Sequence, residues 1–210
     1  MPNTITPMGQ GLRERKKQKT RESIQREAMR LFGKQGYEET TVEQIAAAVE
    51  VSPSTFFNYF PSKEDVVLYD AYDPVIATLL LERPANEPLS VAIRAVLEAM
   101  GDVFERDREI ILARAKLWIE VPVLRARLWE ELEKAQAFMS ALIAQRSGRD
   151  MDDFEIRVTV MIVVVAAFEA MREWVRQDGK GSFVDLVNRA LNLVDAGARL
   201  DQITSPSRSR

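Results

Sequence analysis

The side chains best suited to chemistry in this chain are short ones that open a predicted helix after residue 51. Serine caps a helix well, and proline in the next position loses only an N–H that would have no helical partner. Short side chains can reach base edges when a helix lies in the major groove of DNA, which is roughly 12 Å wide. The candidate base-reading residues are Ser52, Pro53, Ser54, Thr55 and Asn58.

Positive charge is concentrated near the N-terminal end of the chain. Residues 11–35 contain nine Lys or Arg and three Asp or Glu, a surplus of six, although the formal net charge of all 210 residues is −3. A basic segment on an acidic protein suits a polyanion bound at one end. A solvated helix face would explain the same charges equally simply.

The composition argues against most enzyme chemistries. The chain has no Cys and no His, which removes thiol nucleophiles, Cys/His zinc sites and the commonest general base. No carboxylate pair or phosphate-binding loop is evident, so we expect neither catalysis nor a cofactor. The longest nearly continuous apolar run, residues 158–168, is shorter than the about 20 residues that span a bilayer, and the first ten residues are polar and contain proline. We therefore expect a cytoplasmic protein without membrane segments.

Apolar residues recur at spacings of three and four almost throughout, which predicts helices. Thr41 and Gln44 form a capping box that starts a second helix, and Pro61 ends the third. Pro74 predicts a break near Asp73 in the segment that follows. We predict an all-α fold of about nine helices, a three-helix helix-turn-helix head on a C-terminal helical bundle. The expected boundaries are a disordered arm at 1–12, the head at 13–61, a ligand-binding and dimerisation body at 62–200, and a disordered tail at 201–210.

From residue 28 to residue 65 the sequence resembles the tetracycline-repressor (TetR) family of bacterial regulators. The matching residues are Ala28-Met29-Arg30-Leu31-Phe32, Gly36-Tyr37, Thr40-Thr41-Val42, Ile45-Ala46, Val51-Ser52, Thr55, Tyr59-Phe60 and Ser62-Lys63-Glu64-Asp65. The resemblance implies a homodimer that binds a palindromic DNA operator and is released when a small effector binds the body. Beyond residue 66 the chain is similar only in the number and length of its helices.

The resemblance also implies roles for individual residues. Thr41, Tyr59 and Lys63 are expected to contact phosphates, and the candidate base-reading residues to contact bases. A basic arm of Arg13, Arg15, Lys16 and Lys17 is expected to reach the DNA backbone or minor groove. Simpler structural roles remain open, because Thr41 can serve only as a helix cap and Tyr59 only as a packing residue.

Three positions depart from the family pattern. Glu50 stands where the family usually has Gly, so either a left-handed Glu costs about 1 kcal/mol or the turn differs. Ser54 replaces a frequent Gly and puts a side chain within reach of the groove. Phe57 replaces a frequent Tyr and lacks the hydroxyl that could bond a phosphate.

The body supplies large apolar side chains that suit either a core or an effector cavity. The candidate pocket residues are Met100, Phe104, Trp118, Trp129, Phe138, Met161 and Val165. The last two helices are the candidate dimer interface, because their apolar faces exceed what one bundle side needs. The candidate interface residues are Phe168, Met171, Trp174, Val175, Leu186, Val187, Ala190, Leu191 and Val194. Core packing explains each pocket candidate without any ligand.

These expectations favour a repressor released by a small hydrophobic effector, either a fatty acyl or an aromatic compound. The helix that begins at Ser62 joins head to body, so a ligand that changes its tilt would change the spacing of two heads. A constitutive DNA-binding protein without an effector is the second hypothesis, and an enzyme is the third and least supported.

Overall fold

The computed structural model describes residues 11–197, apart from the side chains of Leu12 and Glu14. Every regular element in that range is a helix. In chain order the helices are α1 (Leu12–Gln35), α2 (Val42–Ala48), α3 (Pro53–Phe57), α4 (Lys63–Leu68), α5 (Asp73–Leu81), α6 (Leu89–Arg106), α7 (Arg108–Glu120), α8 (Pro122–Ala126), α9 (Leu128–Ser147), α10 (Phe154–Arg176) and α11 (Phe183–Asp195). The predicted tail, and the predicted arm before Gly11, lie outside the described residues.

The all-α prediction is confirmed, and the larger number of helices has a local cause at two places. The expected helix at 62–83 is interrupted between Leu68 and Asp73, and the expected helix after Pro122 begins with the separate five-residue α8. Pro74 lies in the first turn of α5, where its missing N–H costs nothing. The break predicted near Asp73 is therefore present and occupies residues 69–72.

The first of two compact units extends to Lys134, and its core is built around α1. Apolar residues of α1 meet the buried face of α2, the single buried ring of α3 and the middle of α4. The core also includes Leu124 of α8 and is covered by half-buried residues of α7. The fully or almost fully buried members include Ile24, Ala28, Phe32, Ile45, Phe56, Phe60, Val66 and Leu124. The core of the helix-turn-helix head thus continues past residue 61 into helices of the predicted body.

The second compact unit begins at Ala135, within α9, and contains the closely packed pair α10 and α11. Trp174 and Val187 are buried in this unit, and the Trp174 ring lies 5.5 Å from the ring of Phe183. The turn between the two helices uses residues with positive φ, at Asp178, Gly179 and Gly181. Throughout residues 11–197, no helix combines the length and the apolar character needed to cross a bilayer.

Candidate nucleic-acid interface

Helix α3 presents a small, mostly polar surface, because only one of its side chains is fully buried. The exposed residues at and beside it are Ser52, Pro53, Ser54, Phe57 and Asn58. Phe56 is completely buried and anchors the helix, while Thr55 is half-buried. The Ser52 Oγ accepts a hydrogen bond from the Thr55 N–H at 3.1 Å and so caps the helix as predicted. Exposed hydroxyl and amide groups are the donors and acceptors that base edges require.

The turn between α2 and α3 is closed around Glu50. Its φ is 57°, so Glu50 takes the left-handed conformation, the first of the two alternatives that the sequence left open. The Val51 N–H donates to the Ala46 carbonyl at 2.9 Å, and the Glu50 N–H donates to the Ala47 carbonyl at 3.1 Å. This pair of bonds is a Schellman motif, which normally places Gly at the left-handed residue. The chain therefore keeps the usual turn and carries the strain of about 1 kcal/mol in Glu50.

The capping box that begins α2 is formed as predicted. The Thr41 Oγ1 accepts from the Gln44 N–H at 3.3 Å, and the Gln44 Oε1 accepts from the Thr41 N–H at 3.0 Å. Thr41 is exposed beside the start of the helix, so its role as a cap is satisfied and its side chain still faces solvent. A capping threonine in that position suits both the structural role and the proposed contact with phosphate.

The expected basic arm is part of a helix. Arg13, Arg15, Lys16 and Lys17 lie in the first two turns of α1 and are all exposed. These residues are helical because α1 is rich in Arg, Lys, Glu and Gln, which favour helix, and contains no proline. These side chains can meet the DNA backbone from a helix surface, whereas entry into a minor groove as an extended segment is not available to them in this conformation.

Lys63 makes contacts within the head that the sequence did not predict. Its Nζ donates to the carbonyl of Tyr37 at 2.8 Å and to that of Thr40 at 3.1 Å, and it lies 4.2 Å from the centre of the Tyr37 ring. The Tyr37 hydroxyl in turn donates to Glu64 Oε1 at 2.9 Å. An ammonium has three donors, and two of them link α4 to the connection between α1 and α2, so a contact of Lys63 with phosphate remains a prediction.

Tyr59 is half-buried and packs against the core of the head. The packing role considered for this residue is therefore realised, and a contact of its hydroxyl with phosphate remains a prediction. Phe57, which the sequence did not mark as a binding residue, is 51% exposed. Because positions 53 and 57 lie on one helix face, the predicted exposure of Pro53 was the available signal that Phe57 is exposed too.

Polar side chains from other helices hold both ends of α4. At its end, the Gln25 Nε2 donates to the carbonyls of Val66 and Tyr69, both at 2.9 Å, and the Arg114 Nη1 donates to the Tyr69 carbonyl at 2.8 Å. Gln25 is only 5% exposed and lies in the apolar stripe of α1. A glutamine in such a stripe was the available signal for a buried polar contact, and sequence reasoning missed it.

The start of α4 is tied to α8 and α9 through one arginine. Arg127, between those helices, donates from Nη1 to Asp65 Oδ1 at 2.9 Å, and the same carboxylate accepts from the Ser62 hydroxyl at 2.6 Å. Burial opposes ionisation of Asp65, but the bonds from Ser62 and Arg127 outweigh it and lower its pKa. Head and adjoining helices are thus connected by charged groups at both ends of one short helix.

The break between α4 and α5 also collects acidic groups. The Tyr72 hydroxyl donates to Asp107 Oδ2 at 3.1 Å, and Arg114 lies 3.2 Å from Asp70 Oδ2. Burial raises the pKa of Asp73 to about 6, and the negative charge of Asp70 adds to the rise while Arg114 opposes it. This carboxyl therefore titrates in a range where most aspartates are fully ionised.

The candidate pocket residues have different surroundings. Met100 is buried, and the ring of Phe104 meets that of Tyr72 edge-on at 5.9 Å. Trp118 is half-buried against the core of the head, a packing role. In the second unit Phe138 and Met161 are half-buried.

Two pocket candidates are exposed in the single chain, and their place in a pocket remains a prediction. Trp129 is 64% exposed and its indole Nε1 donates to Glu133 Oε1 at 2.9 Å. Val165 is 39% exposed on α10. Helix periodicity alone does not say which stripe of a helix its neighbours cover, so the sequence did not predict this exposure.

The candidate dimer residues also divide in two groups. Trp174, Val187 and Leu191 are at most 6% exposed within one chain, so they cannot offer surface to a partner, and the expectation for these three is corrected. The packing of α10 against α11 accounts for their burial. The half-buried candidates are Phe168, Met171, Val175, Leu186, Ala190 and Val194.

Comparison with known proteins gives matches over both parts of the chain. The family model described as "Bacterial regulatory proteins, tetR family" matches residues 24–69, and the one described as "MftR C-terminal domain" matches residues 87–199. The transcriptional regulator TcmR of Streptomyces glaucescens is 42% identical over 178 residues, which are 80% of this chain and 79% of TcmR. A regulator named MftR from Mycobacterium tuberculosis is 26% identical over 191 residues, 90% of this chain and 96% of MftR.

A solved structure shares the fold. The TetR-family repressor FadR of Thermus thermophilus, determined in complex with lauroyl-CoA, aligns with a TM-score of 0.53 and 24% identity. The alignment covers 90% of this chain and 98% of FadR. The relatives named here are all regulators of transcription.

Proposed function

Because the chain belongs to the TetR family of bacterial transcriptional regulators, we propose that it is a repressor released from its operator by a small hydrophobic effector. The observation that carries the proposal is the exposed polar surface of α3, at Ser52, Ser54 and Asn58, together with the exposed cations of α1. The hydroxyl and amide groups can contact base edges, and the cations can neutralise the phosphates of the DNA. We expect this binding to take place in the cytoplasm.

Dimerisation is part of the proposal, since two recognition helices must lie about 34–36 Å apart to enter successive major grooves. Helix α10 carries four apolar residues at spacings of four, four and three, which places them on one face. They are Phe154, Val158, Ile162 and Val165, with exposed fractions of 71%, 41%, 44% and 39%. A second copy of the chain would remove this apolar face and the half-buried dimer candidates from water.

Effector binding is proposed for the body, residues 62–200. FadR, which shares the fold, was solved with lauroyl-CoA, and this supports a fatty acyl effector as the first compound to test. The effector is expected to lower the affinity for operator DNA, because it binds the DNA-free conformation more tightly.

The polar contacts of α4 suggest how the two events are coupled. A change in the tilt of α4 would have to alter the Arg127–Asp65 pair at its start or the bonds of Arg114 and Gln25 at its end. These groups lie on α1, α7 and the α8–α9 junction, so they connect reading head and body helices within the first compact unit.

Selection of bound sequences from random duplex DNA tests the proposal. The expected product is a palindrome with half-sites about one helical turn apart, whose binding weakens when lauroyl-CoA is added. Salt-dependent binding without any consensus would contradict sequence-specific repression. A palindrome whose affinity no acyl or aromatic compound changes would favour the second candidate, a constitutive DNA-binding regulator.

A further inference from the structure

Phe57 places an exposed apolar ring on the proposed DNA-reading surface, beside hydroxyl and amide groups. It is 51% exposed at the last position of α3, while the adjacent Phe56 is fully buried. The two rings are perpendicular, with centroids 5.5 Å apart, so part of the Phe57 ring packs against Phe56 and the rest contacts solvent. Core packing therefore accounts for only part of this side chain.

The position of the ring relates it to the polar reading residues. Phe57 follows Pro53 by four residues and Ser54 by three, which places all three on one helix face. Pro53 is exposed as well, so the surface combines an apolar edge, formed by Pro53 and Phe57, with the hydroxyl and amide groups beside it.

We propose, on the basis of the proposed DNA-binding function, that Phe57 reads the C5 methyl group of a thymine in each operator half-site. The methyl of thymine is the apolar group that the major groove displays on an unmodified base edge. The ring has no hydroxyl and cannot bond a phosphate oxygen, so an apolar contact is the favourable interaction left to it.

Deoxyuridine provides the probe, because it differs from thymidine only by lacking this methyl. Each thymine of the selected half-site is replaced in turn, and the dissociation constant is measured by fluorescence anisotropy at fixed salt. One position per half-site should weaken binding of the wild-type protein about three- to tenfold, the effect of one methyl group buried from water. Phe57→Ala should bind the two duplexes equally, whereas Phe57→Tyr, which keeps the ring, should retain the difference.

The controls separate this inference from the proposed function. Asn58→Ala should weaken binding overall and preserve the thymine preference, since the ring is unchanged. Because Phe57 is 51% exposed, Phe57→Ala should keep the fold, and far-UV circular dichroism checks this. Equal affinity of the wild type for every uracil-substituted duplex, or an undiminished preference in Phe57→Ala, would overturn the inference and leave DNA binding intact. Failure to bind any duplex would overturn the proposed function itself.

Discussion

Replacement of Gln25 by leucine removes the buried polar contact between α1 and the end of α4 while nearly preserving volume. Gln25 is 5% exposed and donates to two carbonyls at 2.9 Å. The Tyr69 carbonyl keeps its bond from Arg114, whereas the Val66 carbonyl loses the donor from α1. A buried carbonyl left without its donor costs about 1–3 kcal/mol, so Gln25→Leu should lower the free energy of unfolding by about 1–3 kcal/mol.

Urea unfolding at fixed protein concentration measures this loss, and for a chain of this size it corresponds to a fall in Tm of about 2–12 °C. Gln35→Leu is the matched control, because Gln35 lies on the same helix but bonds two exposed acceptors, the Glu39 carbonyl at 3.2 Å and Gln44 Oε1 at 2.7 Å. The control should change stability by less than about 0.5 kcal/mol. Equal stability of the two variants would refute the reasoning that a buried contact secures α4.

Three further changes test the local account. Asp73→Asn should flatten the pH dependence of the free energy of unfolding. The pKa of Asp73 is raised to about 6 in the folded state, so wild-type stability falls by about 1 kcal/mol, after screening at this half-buried site, as pH rises from about 4 to about 6. A pH profile that the substitution leaves unchanged would contradict the raised pKa. Glu50→Gly should raise the free energy of unfolding by about 0.5–1 kcal/mol, because glycine tolerates the φ of 57°, and a loss in urea titration would show that the Glu side chain stabilises the turn. Thr41→Ala should lower the free energy of unfolding by about 1 kcal/mol, whereas Thr41→Ser should stay near the wild-type value. Equal urea midpoints for all three proteins would show that the Thr41 cap does not stabilise the fold.

Local sequence signals predicted the head well. The capping residues Thr41 and Ser52, the left-handed Glu50 and the break before Pro74 depend on neighbours within a few residues. A helix start leaves backbone N–H groups without a helical partner, and proline has no N–H. Both effects can be predicted from neighbouring residues in the sequence.

Long-range contacts were not readable in this way. The bonds from Lys63 to Tyr37 and from Gln25 to Tyr69 join residues 26 and 44 positions apart, and no local pattern fixes such pairs. Burial of Trp174 and exposure of Trp129 depend likewise on which stripe of each helix its neighbours cover. Periodicity predicts that an apolar face exists, and only packing decides what covers it.

The central claim, that the exposed face of α3 binds DNA, is tested most directly by one charge placed on it. Asn58→Asp is compared with Asn86→Asp, the same chemical change at an exposed residue between α5 and α6, in anisotropy titrations with the selected duplex. A carboxylate facing phosphates and base acceptors should lower the affinity of Asn58→Asp at least about tenfold, while Asn86→Asp binds like the wild type. Wild-type affinity for Asn58→Asp would contradict the assignment of α3 as the reading helix.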